Sequence, residues 1–242
     1  MDAEQIKRWF DQPRKSQLDQ GRVMELYFTF HPRTCFLKTL PREAQVADIG
    51  AGDGSLSVFL NWPSPERRDL ALYAYSIEKG ELFDQFQGYE ISDWNEAPPE
   101  FGGRMFDAIV CAHFIEHIAD PTSFAVWAQR KLKPGGRIYL EWPSPASLDL
   151  PSRAKLEEIG VPLVISRFDD DCTHNELPDC DAMIAALVSR GFVIETRGTV
   201  RLPWLEDEML AHFRDAVDGF PRQAAFWSWT EWSQYLVVRR GD

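Results

Sequence analysis

The segment Val46-Ala47-Asp48-Ile49-Gly50-Ala51-Gly52-Asp53-Gly54 constrains the fold of this 242-residue chain more than any other. A short apolar run ends in an acidic residue, turns at once into a glycine-rich loop, and continues into a helical pattern from Ser55 to Leu60. Strand, glycine turn and helix in that order open a βαβ unit. Glycine admits left-handed backbone and close approach to a ligand, and a helix N-terminus behind it presents backbone amides. The dinucleotide fingerprint needs glycine at the first, third and sixth positions of such a loop. Here the sixth position is Ser55 and the extra glycine falls one residue early, at Gly54. A nicotinamide cofactor is therefore disfavoured.

The rest of the chain continues the alternation. Leu70 to Ile77, Tyr89 to Ile91, Phe106 to Cys111, Arg137 to Glu141, Phe192 to Thr196 and Gln234 to Arg239 read as further strands. Phe106 to Cys111 is apolar enough to be buried on both faces, as in a parallel sheet. Asp120 with Pro121 forms an N-cap pair for a helix to about Leu132, which Pro134-Gly135-Gly136 would stop. Asp181 to Arg190 and Leu205 to Val217 read as helices, as do Gln17 to Leu26 and Cys35 to Leu40, while residues 142–178 read as a long loop. The expected fold class is α/β, a doubly wound, mostly parallel sheet with helices on both faces.

The motifs resemble those of class I S-adenosylmethionine-dependent methyltransferases. Asp48 to Gly54 is similar to their first motif, acidic-x-Gly-x-Gly-x-Gly. Glu78 stands where that family places its ribose-binding acid, and Asp93-Trp94 resembles the pair that flanks the adenine. Phe106 to Cys111 followed by Glu116-His117-Ile118, and then Leu132-Lys133-Pro134-Gly135-Gly136, resemble the later motifs in the family's order. The resemblance implies a Rossmann-like, seven-stranded sheet whose last strand is antiparallel. It implies S-adenosylmethionine as cofactor, held by Asp48, Gly50, Ala51, Gly52, Gly54, Glu78, Asp93, Trp94 and Ala112. It also implies a helical lid over residues 1–43 and a catalytic domain over residues 44–242, with insertions at about 142–178 and 199–231. A sulfonium cofactor has no phosphates, so carboxylates on the ribose and near the amino-acid end suit it.

Past the fourth strand lies Ala112-His113-Phe114-Ile115-Glu116-His117. On a helix, His113, Glu116 and His117 would share one face. Three readings stand: local structural bonding of His117, a general base at His113 or His174, and a metal site. Histidine suits proton removal near neutrality, and His113 and His174 are the expected catalytic residues. The spacing also resembles small-RNA 2′-O-methyltransferases and ubiquinone-pathway O-methyltransferases, where acidic-x-x-Glu-His helps hold a divalent ion. This chain has His113 where those carry an acid, which suits magnesium poorly, and no metal is expected. Phe168-Asp169-Asp170-Asp171-Cys172-Thr173-His174 resembles a subgroup associated with glycan modification. Its acids could bind a polyhydroxylated acceptor or form a solvated turn. Phe226 to Trp232, together with Trp204, could wall an acceptor pocket, pack a core or form a dimer surface.

Composition bounds the partners. The formal charge of −12 disfavours a partner held mainly through its phosphates. A hydrophobic content of 44% supports a sizeable core. No stretch resembles a membrane span or signal peptide, and the four irregularly spaced cysteines suit a reducing compartment. The expectation is a cytoplasmic enzyme that methylates an oxygen or nitrogen of a small polar acceptor, such as a sugar or glycan precursor, as a monomer or homodimer. A metal-assisted RNA or quinone-type O-methyltransferase and a non-catalytic cofactor-binding module are the alternatives.

Overall fold

A computed structural model of the chain describes residues 1–215 and 219–241. The chain divides into two compact units, each assembled from three stretches of sequence. One comprises residues 32–142, 178–198 and 235–242, and the other residues 1–31, 143–177 and 199–234.

The first unit is organised by the sheet. Its strands are β1 (Gln45–Ile49), β2 (Ala71–Ser76), β3 (Gly88–Ile91), β4 (Phe106–Ala112), β5 (Leu132–Pro143), β6 (Phe192–Thr199) and β7 (Ser233–Arg240), in the order β3-β2-β1-β4-β5-β7-β6. The pairs β1–β2, β1–β4, β2–β3 and β4–β5 are parallel. At one end of the β6–β7 pair the Val200 amide donates to the Ser233 carbonyl, and at the other the Gly241 amide donates to Gly191, each at 2.9 Å. That crossed pairing of ends makes β7 antiparallel. The fold is the Rossmann-like sheet expected, mostly parallel with one antiparallel strand.

Alternation along β4 explains why it reads as wholly apolar. Phe106, Ile109 and Cys111 enter one core, while Ala108 and Val110 enter the other. Each fully buried side chain of this size contributes about 1.5–3 kcal/mol. Of the helices in this unit, α3 (Pro32–Lys38) packs Phe36 and Leu37 into the second core. The first core takes Phe124 and Trp127 from α4 (Ser123–Lys131) and Met183 and Leu187 from α6 (Cys180–Val188).

Several local expectations are corrected here. Ser55–Leu60 is a six-residue 3-10 turn rather than an α-helix, so it supplies no extended helix dipole behind the glycine loop. Asp120 caps Thr122, accepting from its amide at 3.0 Å and its hydroxyl at 2.7 Å, and α4 starts at Ser123. Pro134-Gly135-Gly136 does not precede β5 but lies within it. The register against β4 slips between Phe106 and Ala108, and Gly135 takes φ +74°. Glycine at such a bulge keeps the strand going where a side chain would end it.

The second unit is helical: α1 (Ala3–Asp11), α2 (Gln20–Phe30), α5 (Arg153–Glu158), α7 (Pro203–Phe213) and α8 (Gly219–Thr230). The start of α1 is fixed by a capping box, in which Asp2 and Gln5 exchange side-chain-to-backbone bonds at 2.8 and 2.9 Å. Ile6, Phe10, Val23, Leu156, Phe213, Phe226 and Trp232 share one core. The stretch read as a long loop thus contains α5, and the aromatic run Phe226 to Trp232 belongs largely to α8. Phe226 and Trp232 are core, whereas Trp204 is half exposed. The helix read as Leu205 to Val217 spans Pro203–Phe213; its last expected residues, 216 and 217, lie outside the described residues, as does residue 242.

Candidate functional site

The site residues of the sheet unit gather at the C-terminal ends of β1, β2, β3 and β4. The chain order reverses between β1 and β4, and open α/β sheets bind ligands at such a switch point. Gly50, Gly52 and Gly54 take φ of +75°, +55° and +88°, a region that only glycine enters freely. The Gly50 and Ala51 amides both donate to the Tyr75 carbonyl at 2.9 Å, which ties the loop to β2. A Cβ on Gly50 would lie 2.6 Å from the Phe114 side chain, whereas one on Gly52 would meet nothing within 4 Å. Gly80, which sequence reasoning missed, supports the loop from behind: a Cβ there would sit 2.4 Å from the Gly52 carbonyl oxygen. The signal was available, since Gly80 follows the end of a strand two residues after Glu78.

Asp48 is buried beneath this loop at 6% exposure. It shares its face of β1 with Val46, and its register partners are Ala74 and Val110, so its surroundings are largely apolar. Burial pushes its carboxyl up, Arg33 pulls it down and Asp53 pushes it up again, leaving it at about 7. Glu78 is exposed just past β2, and Asp93 is half-buried past β3. The Asp93 carboxylate accepts from the Asn95 amide at 2.8 Å. Trp94 is buried in the core, ringed by Tyr75, Phe114, Phe124 and Trp127. Ala112, the last residue of β4, is half-buried and pairs with Glu141 of β5.

His113 departs from its expectation. Glu116 and His117 lie on a 3-10 turn and His113 precedes it with φ +53°, so the three do not line a helix face. Its Nε2 lies 3.0 Å from Glu141 and its Nδ1 lies 3.3 Å from Glu116. Burial would lower the histidine, but the hydrogen bonds and charges of Glu116 and Glu141 outweigh it and push it up to about 9. Both nitrogens of an imidazolium donate, so His113 has no lone pair for a substrate proton at neutral pH. The two carboxylates thus favour the protonated ring at this position.

Two further residues that sequence reasoning missed complete the network. Arg33 of α3 meets Glu141 at 3.0 Å, and the Tyr139 hydroxyl donates to the same carboxylate at 2.6 Å. Burial, then the charge of Glu141, keeps the Tyr139 phenol neutral well above its usual range. Glu141 could have been flagged as a lone acid inside an apolar strand. Glu116 is fully buried, and among the described residues its oxygens have no hydrogen-bond partner beyond the His113 ion pair.

His174 belongs to the helical unit. Its ring stacks on Phe168 at 4.4 Å, and its Nδ1 faces the Phe168 carbonyl at 2.5 Å. A carbonyl only accepts, so Nδ1 donates to it, while Nε2 lies 3.9 Å from the Asp171 carboxylate. The three acids before it are engaged within their own loop. Asp169 pairs with Arg167, and Asp170 accepts from the amides of Arg153, Ser166 and Arg167 at 2.8–2.9 Å. Asp171 accepts from the Thr173 amide and hydroxyl at 2.8 and 2.6 Å. The Asp169 side chain is nonetheless 59% exposed and that of Asp171 39%.

Comparisons with known proteins agree with this geometry. Residues 21–196 match a family model described as a methyltransferase domain. Over 109 residues the chain is 32% identical to the ubiquinone biosynthesis O-methyltransferase of Xanthomonas axonopodis pv. citri, covering 41% of this chain and 43% of that protein. It is 29% identical over 100 residues to the enzyme of the same name from Xylella fastidiosa, covering 40% and 41%. The match therefore spans less than half the length of these relatives. Among solved structures, an S-adenosylmethionine-dependent methyltransferase from Mesorhizobium loti aligns with TM-score 0.59 at 14% identity, over 86% of this chain and 96% of that one. A putative sarcosine dimethylglycine methyltransferase from Galdieria sulphuraria aligns with TM-score 0.54 at 14% identity, over 99% and 98%. Such identities speak to the fold alone, whereas the family model covers most of the sequence, and the chain belongs to the class I S-adenosylmethionine-dependent methyltransferase family.

Proposed function

We propose that this chain transfers the methyl group of S-adenosylmethionine to an oxygen or nitrogen of a small polar acceptor. The observation that carries the reading is the left-handed glycine loop at the β1/β4 switch point, with buried Asp48 beneath it and exposed Glu78 beside it. The open space at Gly52 and the carboxylates around it fit a phosphate-free cationic cofactor. When bound, S-adenosylmethionine supplies an electrophilic methyl carbon on a sulfonium.

In this reading Gly50, Ala51, Gly52 and Gly54 shape the loop that receives the cofactor. Glu78 accepts from the ribose hydroxyls. Asp93 and Ala112 border the adenine, with Trp94 as a rigid platform behind them. His174, in the helical unit, is the candidate base for the acceptor's proton. His113 is not a proton acceptor but a positioning cation that holds Glu116 and Glu141. Catalysis then rests mainly on alignment.

A second reading, a quinone-type phenolic hydroxyl as acceptor, is favoured by the names of the relatives matched at 29–32% identity. Incubation with methyl-labelled cofactor and fractionated metabolite, glycan, quinone-precursor and RNA pools distinguishes the readings. Label in a small polar fraction supports the proposal, and label in the phenolic fraction selects the second reading. Cofactor binding with no label in any pool leaves only a binding module. Calorimetry gives the companion test of the site: Glu78→Ala should weaken cofactor binding about tenfold or more, the effect of removing a charge-assisted hydrogen bond. Unchanged affinity would remove Glu78 from the ribose role.

A further inference from the structure

Resting on the cofactor reading above, we infer that His113 is a positioning residue for the glycine loop: clamped in a left-handed turn between two buried carboxylates, it seats Phe114 against Gly50. His113 takes φ +53° immediately after Ala112, the last residue of β4. A residue with a Cβ enters that region at a cost, and such outliers persist only where the surroundings over-determine them.

The surroundings do so from three sides. The His113 amide donates to the Glu141 carbonyl at 2.8 Å, which carries the β4–β5 ladder one residue past Ala112. The ring Nε2 lies 3.0 Å from the Glu141 carboxylate, and Nδ1 lies 3.3 Å from that of Glu116. Both acids are buried, at 2% and 0% exposure. Glu141 is itself held by Arg33 and the Tyr139 hydroxyl. A ring engaged at both nitrogens does not swing, and the backbone beneath it stays left-handed.

The clamp positions the next residue. Phe114 follows with φ −133°, and the turn brings its side chain onto the glycine loop. A Cβ on Gly50 would lie 2.6 Å from the Phe114 Cβ and 2.8 Å from its ring, so Phe114 fills the space that the missing side chain leaves. Tyr75 and Trp94 back the Phe114 ring at 6.1 and 5.4 Å. The Tyr75 carbonyl in turn accepts from the Gly50 and Ala51 amides. One side chain thus packs on the loop and on the residue that anchors it. With His113 released, Phe114 withdraws, Gly50 gains room, and the loop samples shapes that do not receive the cofactor. Apparent affinity falls by the fraction of molecules that hold the competent shape.

Hydrogen exchange reads the loop without ligand, and calorimetry reads the cofactor. His113→Ala removes the ring but keeps a Cβ. Exchange at the Gly50 and Ala51 amides should quicken on the order of tenfold, and S-adenosylmethionine affinity should fall about tenfold. His113→Gly removes the same ring and leaves the same carboxylates unpaired, yet enters φ +53° freely. It should recover most of both losses, to within about threefold of the native chain. Phe114→Ala should match His113→Ala, and the double variant should lose no more than either alone. Equal losses in the Ala and Gly variants would assign the effect to the ring's charge and overturn the inference. Additive losses in the double variant would break the route through Phe114. Quickened exchange at Val46 and Ala47 of β1 to the same degree would mean general loosening, and would equally sink it. Should His113→Ala fail to fold, Phe114→Ala decides, and native exchange at Gly50 and Ala51 in that variant refutes the role. A native chain that binds no S-adenosylmethionine removes the cofactor reading, while the exchange rates still decide whether His113 positions the loop.

Discussion

At the scale of the residue, His113 shows how neighbours decide what a titratable side chain can do. The sequence places a histidine at the end of a strand, which suits a base. It does not show that Glu116 and Glu141 occupy both ring nitrogens, because Glu141 is far away in sequence and meets His113 only through the β4–β5 pairing. Its folded value of about 9 lies above its ordinary 6.5. Stability from this group is therefore fully present below about pH 6.5 and is lost as pH rises towards about 9. Asp48, raised from 3.8 to about 7, loses stability over an earlier window, from about pH 4 to 7. Thermal unfolding followed from pH 6.5 to 9.5 should show a falling midpoint in the native chain. His113→Gln should be less stable at pH 6.5 by about 3 kcal/mol, because it leaves two buried carboxylates short of a partner, and its midpoint should fall less steeply than the native one above about pH 7. A variant that retains the native slope would assign the pH dependence to another group.

At the scale of the element, the strands were the most legible part of the chain. The central ones, β1 and β4, announce themselves as apolar runs, since strands buried on both faces leave little room for polar positions, whereas β3 and β6 hold fewer buried residues. What escaped was set by context. β5 begins at Leu132 rather than Arg137, because Pro134-Gly135-Gly136 forms a bulge inside the ladder. α8 hides its period beneath a run of aromatics, and the short turn after the glycine loop lacks the length to be an α-helix. The glycine loop was legible in position and in conformational demand, but the tightness of each glycine was not. Gly50→Ala places a Cβ at φ +75° and 2.6 Å from Phe114, so strain and clash should together cost about 3 kcal/mol. Gly52→Ala meets only the strain of φ +55°, about 1–2 kcal/mol, since nothing lies within 4 Å. Denaturant unfolding of the two variants should rank them in that order, and equal losses would mean that Phe114 gives way freely.

At the scale of the whole molecule, sequence order conceals the helical unit. Its core joins Ile6, Leu156 and Phe226, residues from three distant stretches whose common address is visible only after folding. No helix among the described residues is long and apolar enough to cross a membrane, and the charge of −12 is a property of the molecule rather than of any one site. Such a field attracts a cationic ligand and leaves a neutral one unaffected, and salt screens it over a Debye length of about 8–10 Å near physiological strength. The donor S-adenosylmethionine, at net +1, should therefore associate faster at low salt than S-adenosylhomocysteine does. Stopped-flow fluorescence, using the tryptophans as reporters, should show the donor's association rate falling about two- to threefold between 20 and 300 mM salt, with the product's rate nearly constant. If both rates fall alike, the field acts on a part common to both ligands, and the whole-molecule charge plays no part in choosing between them. If only the donor's rate falls, selection begins before contact, in the field of the whole molecule.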